Sequence, residues 1–164
     1  MVSQLIPHEV AAVHGFVSHF TNKLDAKGRV SIPASFRSVL AKDGFEGLYT
    51  FRSPHVPALD AGGNALLNQI EAKLNSLPKL TVEYDMMATA LYGASDIVKV
   101  DAEGRFMMNE DIRALTGITK QVTFVGQGYK FQIWDPERFE AHRAEAMKRA
   151  LEAFSGNPAG SLPQ

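Results

Sequence analysis

The chain has no cysteine in its 164 residues. Disulfides, thiolate metal sites and cysteine nucleophiles are thereby excluded, and an intracellular compartment fits. No apolar run approaches the roughly 18 residues that a membrane span needs, so no membrane partner is expected. The opening stretch Met1–Gly15 lacks Lys and Arg, and Pro7, His8 and Glu9 interrupt its apolar residues. It does not read as a signal peptide, and a cytoplasmic protein is expected. An excess of charge is missing too, the formal net charge being −1. A monomer that holds nucleic acid by bulk charge is basic, so the total neither points to such a partner nor excludes one. Local charge and copy number have to decide.

Signatures of catalysis and metal binding are also scarce. The histidines His8, His14, His19, His55 and His142 show no ligand spacing, and no metal site is expected. Gly126-Gln127-Gly128 is too short for a phosphate loop and reads as a hairpin turn with Gln127 exposed. No Gly-x-Ser-x-Gly elbow occurs. Asp25 and Asp101 make a poor acid–base pair, because each is matched with an Arg that keeps it ionised. No catalytic residue and no cofactor is assigned. Trp134 and the methionines Met86, Met87, Met107 and Met108 read as core or interface filler.

What the chain does have is a repeat. "KLDAKGRVSIPASFR" (Lys23–Arg37) returns 76 positions later as "KVDAEGRFMMNEDIR" (Lys99–Arg113). Aligned without a gap, Asp25 matches Asp101, Gly28 matches Gly104, Arg29 matches Arg105 and Arg37 matches Arg113. Apolar character agrees at Leu24/Val100, Val30/Phe106 and Ile32/Met108 as well. Chance explains one short match poorly when strand–turn–strand–helix order is preserved with it, and the pattern reads as an internal duplication.

In the first copy, alternation at Phe20, Asn22 and Leu24, then at Val30 and Ile32, predicts two short strands joined by a tight turn. Pro33 starts a short helix that ends near Gly44, and Gly47–Phe51 is a further strand. In the second copy, Asp96–Val100 and the stretch from Arg105 are strands. Asn109 caps a helix ended by Gly117, and Gln121–Val125 and Tyr129–Trp134 are strands. Between the copies, Leu66, Leu67, Ile70, Leu74 and Leu77 share one helical face. A second helix runs from after Pro78 to Gly93, and Ser53–Gly63 reads as a loop. Asp135 and Pro136 open a last, mostly solvated helix to about Phe154, followed by a tail predicted to be disordered.

Short strand pairs are marginal alone, but two copies can complete each other by interleaving into one small barrel. The motif then has two readings. In one, Asp and Arg four apart pin a turn and serve as scaffold. In the other, the Arg faces outward from a rigid β-ribbon that fits the DNA major groove, where Arg on guanine is the commonest specific contact. Phe20–Arg37 carries a net +3, whereas Lys99–Arg113 carries −1, with Glu103 standing where the first copy has Lys27. The first turn is therefore expected to give more phosphate contact than the second.

"LDAKGRVSIPASFR", the second "VDAEGR" and "VTFVGQGYKFQIWDPERF" together resemble the MraZ family of bacterial transcriptional regulators, tandem relatives of SpoVT/AbrB-type domains. The resemblance covers about Phe16 to Arg143. It implies an α+β, mainly β fold: a double-split, swapped-hairpin β-barrel of two tandem SpoVT-AbrB-like units with flanking helices. The divisions it suggests are an extension at 1–15, a first unit at 16–66, linking helices at 67–93, a second unit at 94–138, and a C-terminal helix and tail at 139–164. It implies a homo-oligomeric ring binding double-stranded DNA at short direct repeats upstream of its own division and cell-wall operon, usually to repress it, in the cytoplasm at the nucleoid. No small-molecule ligand is expected. The family's DNA-contacting residues carry over to Asp25, Lys27 and Arg29 and to Asp101 and Arg105, with Lys23 and Arg37 as further phosphate contacts. The chain departs from the family pattern in three places. Fifteen residues precede Phe16, Ser18 stands where glycine is common, and "MMNED" replaces the apolar-Pro step in the second copy. A competing expectation is an antitoxin-like protein-interaction module.

Overall fold

A computed structural model describes residues 15–156. It is α+β and mainly β, with β1 (His19–Lys23), β2 (Arg29–Ser31), α1 (Ala34–Asp43), β3 (Leu48–Arg52), β4 (Leu59–Gly62), α2 (Asn64–Asn75), α3 (Val82–Ala88), β5 (Ser95–Val98), β6 (Arg105–Met107), α4 (Glu110–Thr116), β7 (Gln121–Gly126), β8 (Phe131–Trp134) and α5 (Pro136–Phe154). The expected caps are present. Gly44 and Gly117 take left-handed φ at the ends of α1 and α4, and the Asn109 and Asp135 side chains accept backbone N–H groups at the starts of α4 and α5. The extension and the end of the tail lie outside the described residues.

Six strands form one antiparallel sheet in the order β1-β7-β8-β4-β3-β5, and β2 pairs only with β6. Exchanging β1 with β5, β2 with β6, β3 with β7 and β4 with β8 reproduces this order, so the repeat in sequence is a pseudo-twofold in space. The axis passes between β4 and β8, and between β2 and β6. Each half depends on the other, because β1 pairs with β7 and β5 with β3.

Two expectations need correction. The sheet is open: its edges β1 and β5 do not pair with each other, so the strands close no barrel. Ser53–Gly63 is not all loop either, because Leu59–Gly62 forms β4 in the middle of the sheet. "LDAG" hides a strand because Asp and Gly are depleted in strands. The helix expected to run to Gly93 is α3, which continues as a π-helical turn over Thr89–Gly93.

The main core lies between the large sheet and the β2–β6 ribbon. Val30, Ile32, Phe106 and Met108 of the ribbon strands and their extensions meet Phe124, Phe131 and Ile133 of the sheet there. Phe36 of α1 packs edge-on against Phe16, with ring centroids 5.2 Å apart, and sits 5.0 Å from Phe131. A second cluster joins Leu66, Ile70 and Leu74 of α2 to Tyr49 and Phe51 of β3. Trp134 is buried with Ala58 and Phe139 as a core residue. Ser18 has φ +71°, a conformation that costs side-chain-bearing residues and suits glycine.

Candidate nucleic-acid interface

Each Asp-Ala-x-Gly-Arg segment folds into the same tight turn. In the first, the Gly28 N–H donates to the Asp25 carbonyl at 3.0 Å and the Asp25 N–H to the Arg29 carbonyl at 2.8 Å. Asp25 Oδ1 accepts the backbone N–H groups of Lys27 and Arg29, and Asp25 Oδ2 accepts Arg29 Nε at 2.8 Å. The second turn repeats every one of these bonds. Asp101 Oδ1 accepts Glu103 N–H and Arg105 N–H, and Oδ2 accepts Arg105 Nε, all at 2.9 Å. Gly28 and Gly104 have φ +84° and +81°, which is what the turn requires of its fourth residue. The turn thus fixes the Asp, and the Asp fixes the direction of the guanidinium.

The register of the ribbon places both arginines on one face. Arg29 lies opposite Met107, Val30 opposite Phe106 and Ser31 opposite Arg105. Because side chains alternate, Val30 and Phe106 enter the core while Arg29, Ser31, Arg105 and Met107 share the outer face. Arg29 and Arg105 are diagonal neighbours there, a separation of about 7–8 Å. The Asp25 carboxylate acts on Arg105 as well as on its own Arg. Alternation alone could have placed Met107, 46% exposed, on this face rather than among core filler; Met108 is the buried one.

The second Arg of each copy crosses to the other turn. Arg37 Nη1 donates to the Ile32 carbonyl at 2.8 Å, and its side chain lies over Gly104, where a Cβ would come within 2.3 Å of Arg37 Cδ. Arg113 Nε donates to the Met108 carbonyl at 3.2 Å and lies over Gly28. Backbone bonds cross in the same sense, from Ile32 N–H to the Gly104 carbonyl and from Met108 N–H to the Gly28 carbonyl, both 2.9 Å. Lys23, at the end of β1, and Lys27, at the tip of the first turn, are exposed.

Electrostatically the turns hold their acids ionised. The backbone N–H of Arg29 is the main cause that lowers the Asp25 pKa; partial burial opposes it, and the Arg29 guanidinium and the Lys27 N–H add to the lowering. Asp101 is lowered in the same way, first by the Arg105 N–H. Hydrogen bonding to Asp101 raises Arg105 further. The copies differ at one contact. Glu103 Oε1 accepts Arg105 Nη2 at 2.9 Å, whereas among the described residues nothing accepts from the terminal nitrogens of Arg29.

Other candidates stay apart from this face. His142 stacks on Trp134 at 4.7 Å, and His19 lies 5.2 Å from the Phe139 ring. Among the described residues no three His, Asp or Glu side chains gather as a metal set, and no helix is long and apolar enough to cross a membrane. Sequence reading did not single out the buried polar network on the twofold. There Asp60, 1% exposed, accepts Lys130 Nζ at 2.9 Å and Gln132 Nε2 at 2.8 Å, and Trp134 Nε1 donates to Gln132 Oε1.

Fold and site together define a class: an internally duplicated α+β protein that presents carboxylate-held arginines from a β-ribbon. The family model described as "MraZ protein, putative antitoxin-like" matches residues 91–155. The chain is 59% identical over 134 residues to the transcriptional regulator MraZ of Beijerinckia indica, covering 82% of each chain. It is 57% identical over 135 residues to the transcriptional regulator MraZ of Methylocella silvestris, again covering 82% of each. Against that of Xanthobacter autotrophicus it is 53% identical over 137 residues, 84% of this chain and 87% of the other. The chain belongs to the MraZ family, whose matched members carry the names of transcriptional regulators and not of enzymes.

Proposed function

We propose that this protein is a sequence-specific DNA-binding transcriptional regulator, usually repressing its own division and cell-wall operon from short direct repeats upstream. Its two tandem swapped-hairpin units, about 16–66 and 94–138, present Asp25, Lys27, Arg29, Asp101 and Arg105 to double-stranded DNA. The observation that carries this reading is the pair of turns with matching hydrogen bonds, which hold Arg29 and Arg105 on one face of a two-stranded ribbon. The major groove is about 12 Å wide and admits such a ribbon. With Nε held by the carboxylate, the Arg29 terminal nitrogens point onward as a fork that matches the acceptor pair of a guanine edge.

A ring of copies reconciles this role with a net charge of −1. Several subunits on several repeats gain by effective concentration what one subunit lacks in charge. Exposed apolar side chains suit contacts between copies: Val82 and Met86 on α3, Ile97 on the edge strand β5, and Met147, Leu151 and Phe154 along one face of α5.

The test is titration onto labelled DNA from immediately upstream of its own gene, with scrambled duplex as competitor and mass followed by light scattering. Arg29→Ala should weaken binding at least about tenfold, the loss of one good bidentate contact, with mass unchanged. Binding indifferent to sequence and to Arg29→Ala would make the turns scaffold, and co-purification with a second small protein would favour the antitoxin-like reading.

A further inference from the structure

The two turns share one geometry but differ in what their arginines have left to offer. Arg29 has two unengaged terminal nitrogens among the described residues, and Lys27 beside it adds a cation. At the same position of the second turn, Glu103 reaches back and takes Arg105 Nη2 at 2.9 Å. The Glu103 backbone N–H already donates to Asp101, so the residue's position is set by the turn and only its carboxylate is spare. Arg105 thus sits between two carboxylates, on Nε and on Nη2.

We propose that Glu103 is an affinity-limiting residue: its carboxylate takes the place on Arg105 that a DNA phosphate or base edge would take, so the second turn engages DNA weakly. This rests on the DNA-binding reading above. The size of the effect follows from exposure. Glu103 is 67% exposed, and an ion pair in such a place shifts an equilibrium by at most about fivefold. Glu103 is therefore a competitor that a strong contact displaces, not a lock. Its consequence is that one subunit holds DNA chiefly through its first turn. Occupancy then gains more from several subunits, and the protein favours arrays of repeats over single chance sites.

The experiment is fluorescence anisotropy on a duplex from immediately upstream of the protein's own gene, across a salt series. It compares wild type with Glu103→Gln, Glu103→Lys, Arg29→Ala, Arg105→Ala and the Glu103→Gln/Arg105→Ala double variant, each checked for unchanged oligomer mass and melting temperature. Glu103→Gln should tighten binding about three- to fivefold and steepen the salt dependence, since a released phosphate contact adds about 0.9 to the slope. Glu103→Lys should tighten it more. Arg105→Ala should cost less than Arg29→Ala, and the gain of Glu103→Gln should vanish when Arg105 is absent. A gain that survives in the double variant reflects overall charge and overturns the inference. So does an unchanged affinity in Glu103→Gln when wild type binds through Arg29, and in that case the DNA-binding reading stands. Failure of wild type and every variant to bind the duplex sinks the DNA-binding reading, and this inference with it.

Discussion

Lys130→Met tests the seam that joins the halves of the molecule. Asp60 of β4 lies directly across from Gln132 of β8, next to the pseudo-twofold, and is buried to 1% exposure. Its carboxylate holds Lys130 Nζ at 2.9 Å and Gln132 Nε2 at 2.8 Å, and the Lys130 side chain is itself only 14% exposed. Methionine keeps most of the volume and removes the ammonium, leaving a buried carboxylate with one neutral donor. Breaking a buried pair from one side costs about 3–5 kcal/mol. Because Lys130 keeps some contact with water, the lower end applies, about 3 kcal/mol. For a protein of this size that is a fall in melting temperature of about 6–12 °C. The assay is calorimetry with urea denaturation beside it, and exposed Lys42→Met serves as the control, expected to stay within about 0.5 kcal/mol. Adding Asp60→Asn to Lys130→Met removes the stranded charge and should recover at least about 1 kcal/mol, a departure from additivity that contacting residues show. A fall of under about 3 °C in Lys130→Met, or strictly additive losses in the double variant, would refute the reasoning.

Two further outcomes follow from the turns. Arg37→Ala removes a charge-assisted bond to the Ile32 carbonyl and the cover over Gly104, so it should lower stability by about 1–1.5 kcal/mol in urea denaturation. Its DNA affinity, measured where it is folded, should change less than about twofold, unlike the tenfold of Arg29→Ala; a larger loss with stability intact would make Arg37 a direct contact. Asp25 and Asp101 have folded-state pKa values below their ordinary 3.8, so their contribution to stability is complete above that value and is lost as pH falls through the lower folded-state values. The wild type should therefore exceed an Asp25→Asn/Asp101→Asn variant in melting temperature at neutral pH, with the gap closing as pH falls below the ordinary carboxylate value of 3.8; a gap independent of pH refutes the linkage.

Local signals made much of this fold legible. Asn109, Gly117, Gly44 and Asp135–Pro136 act within a few residues of themselves, and each marks a helix end where expected. The Asp–Arg pairs were legible for the same reason, since a spacing of four across a glycine turn brings the two side chains together. β4 was not legible. Its Asp60 is tolerable in a central strand because Lys130 and Gln132, 70 and 72 positions away, hold its carboxylate, and no window of sequence contains all three. That the two copies interleave was expected, but which strands pair, β2 with β6, was not legible: strands of three residues hold too few side chains to specify a partner.

The crossing arginines explain why the segment occurs twice. Arg29 and Arg105 are each held by an Asp of their own copy, but Arg37 and Arg113 each rest on the glycine of the other copy. The ribbon bonds, Ile32 to Gly104 and Met108 to Gly28, cross in the same way. A single copy would leave its turn glycine uncovered, its β2-type strand unpaired and the apolar face of that strand, Val30 or Phe106, in water. None of those losses can be made good locally. Duplication makes each copy the missing half of the other, and it leaves Arg29, Lys27, Arg105, Glu103 and Met107 on the surface facing outward from the axis. On that face Arg29 and Arg105 are the same in both copies, and Lys27 against Glu103 is where the copies differ by a full reversal of charge.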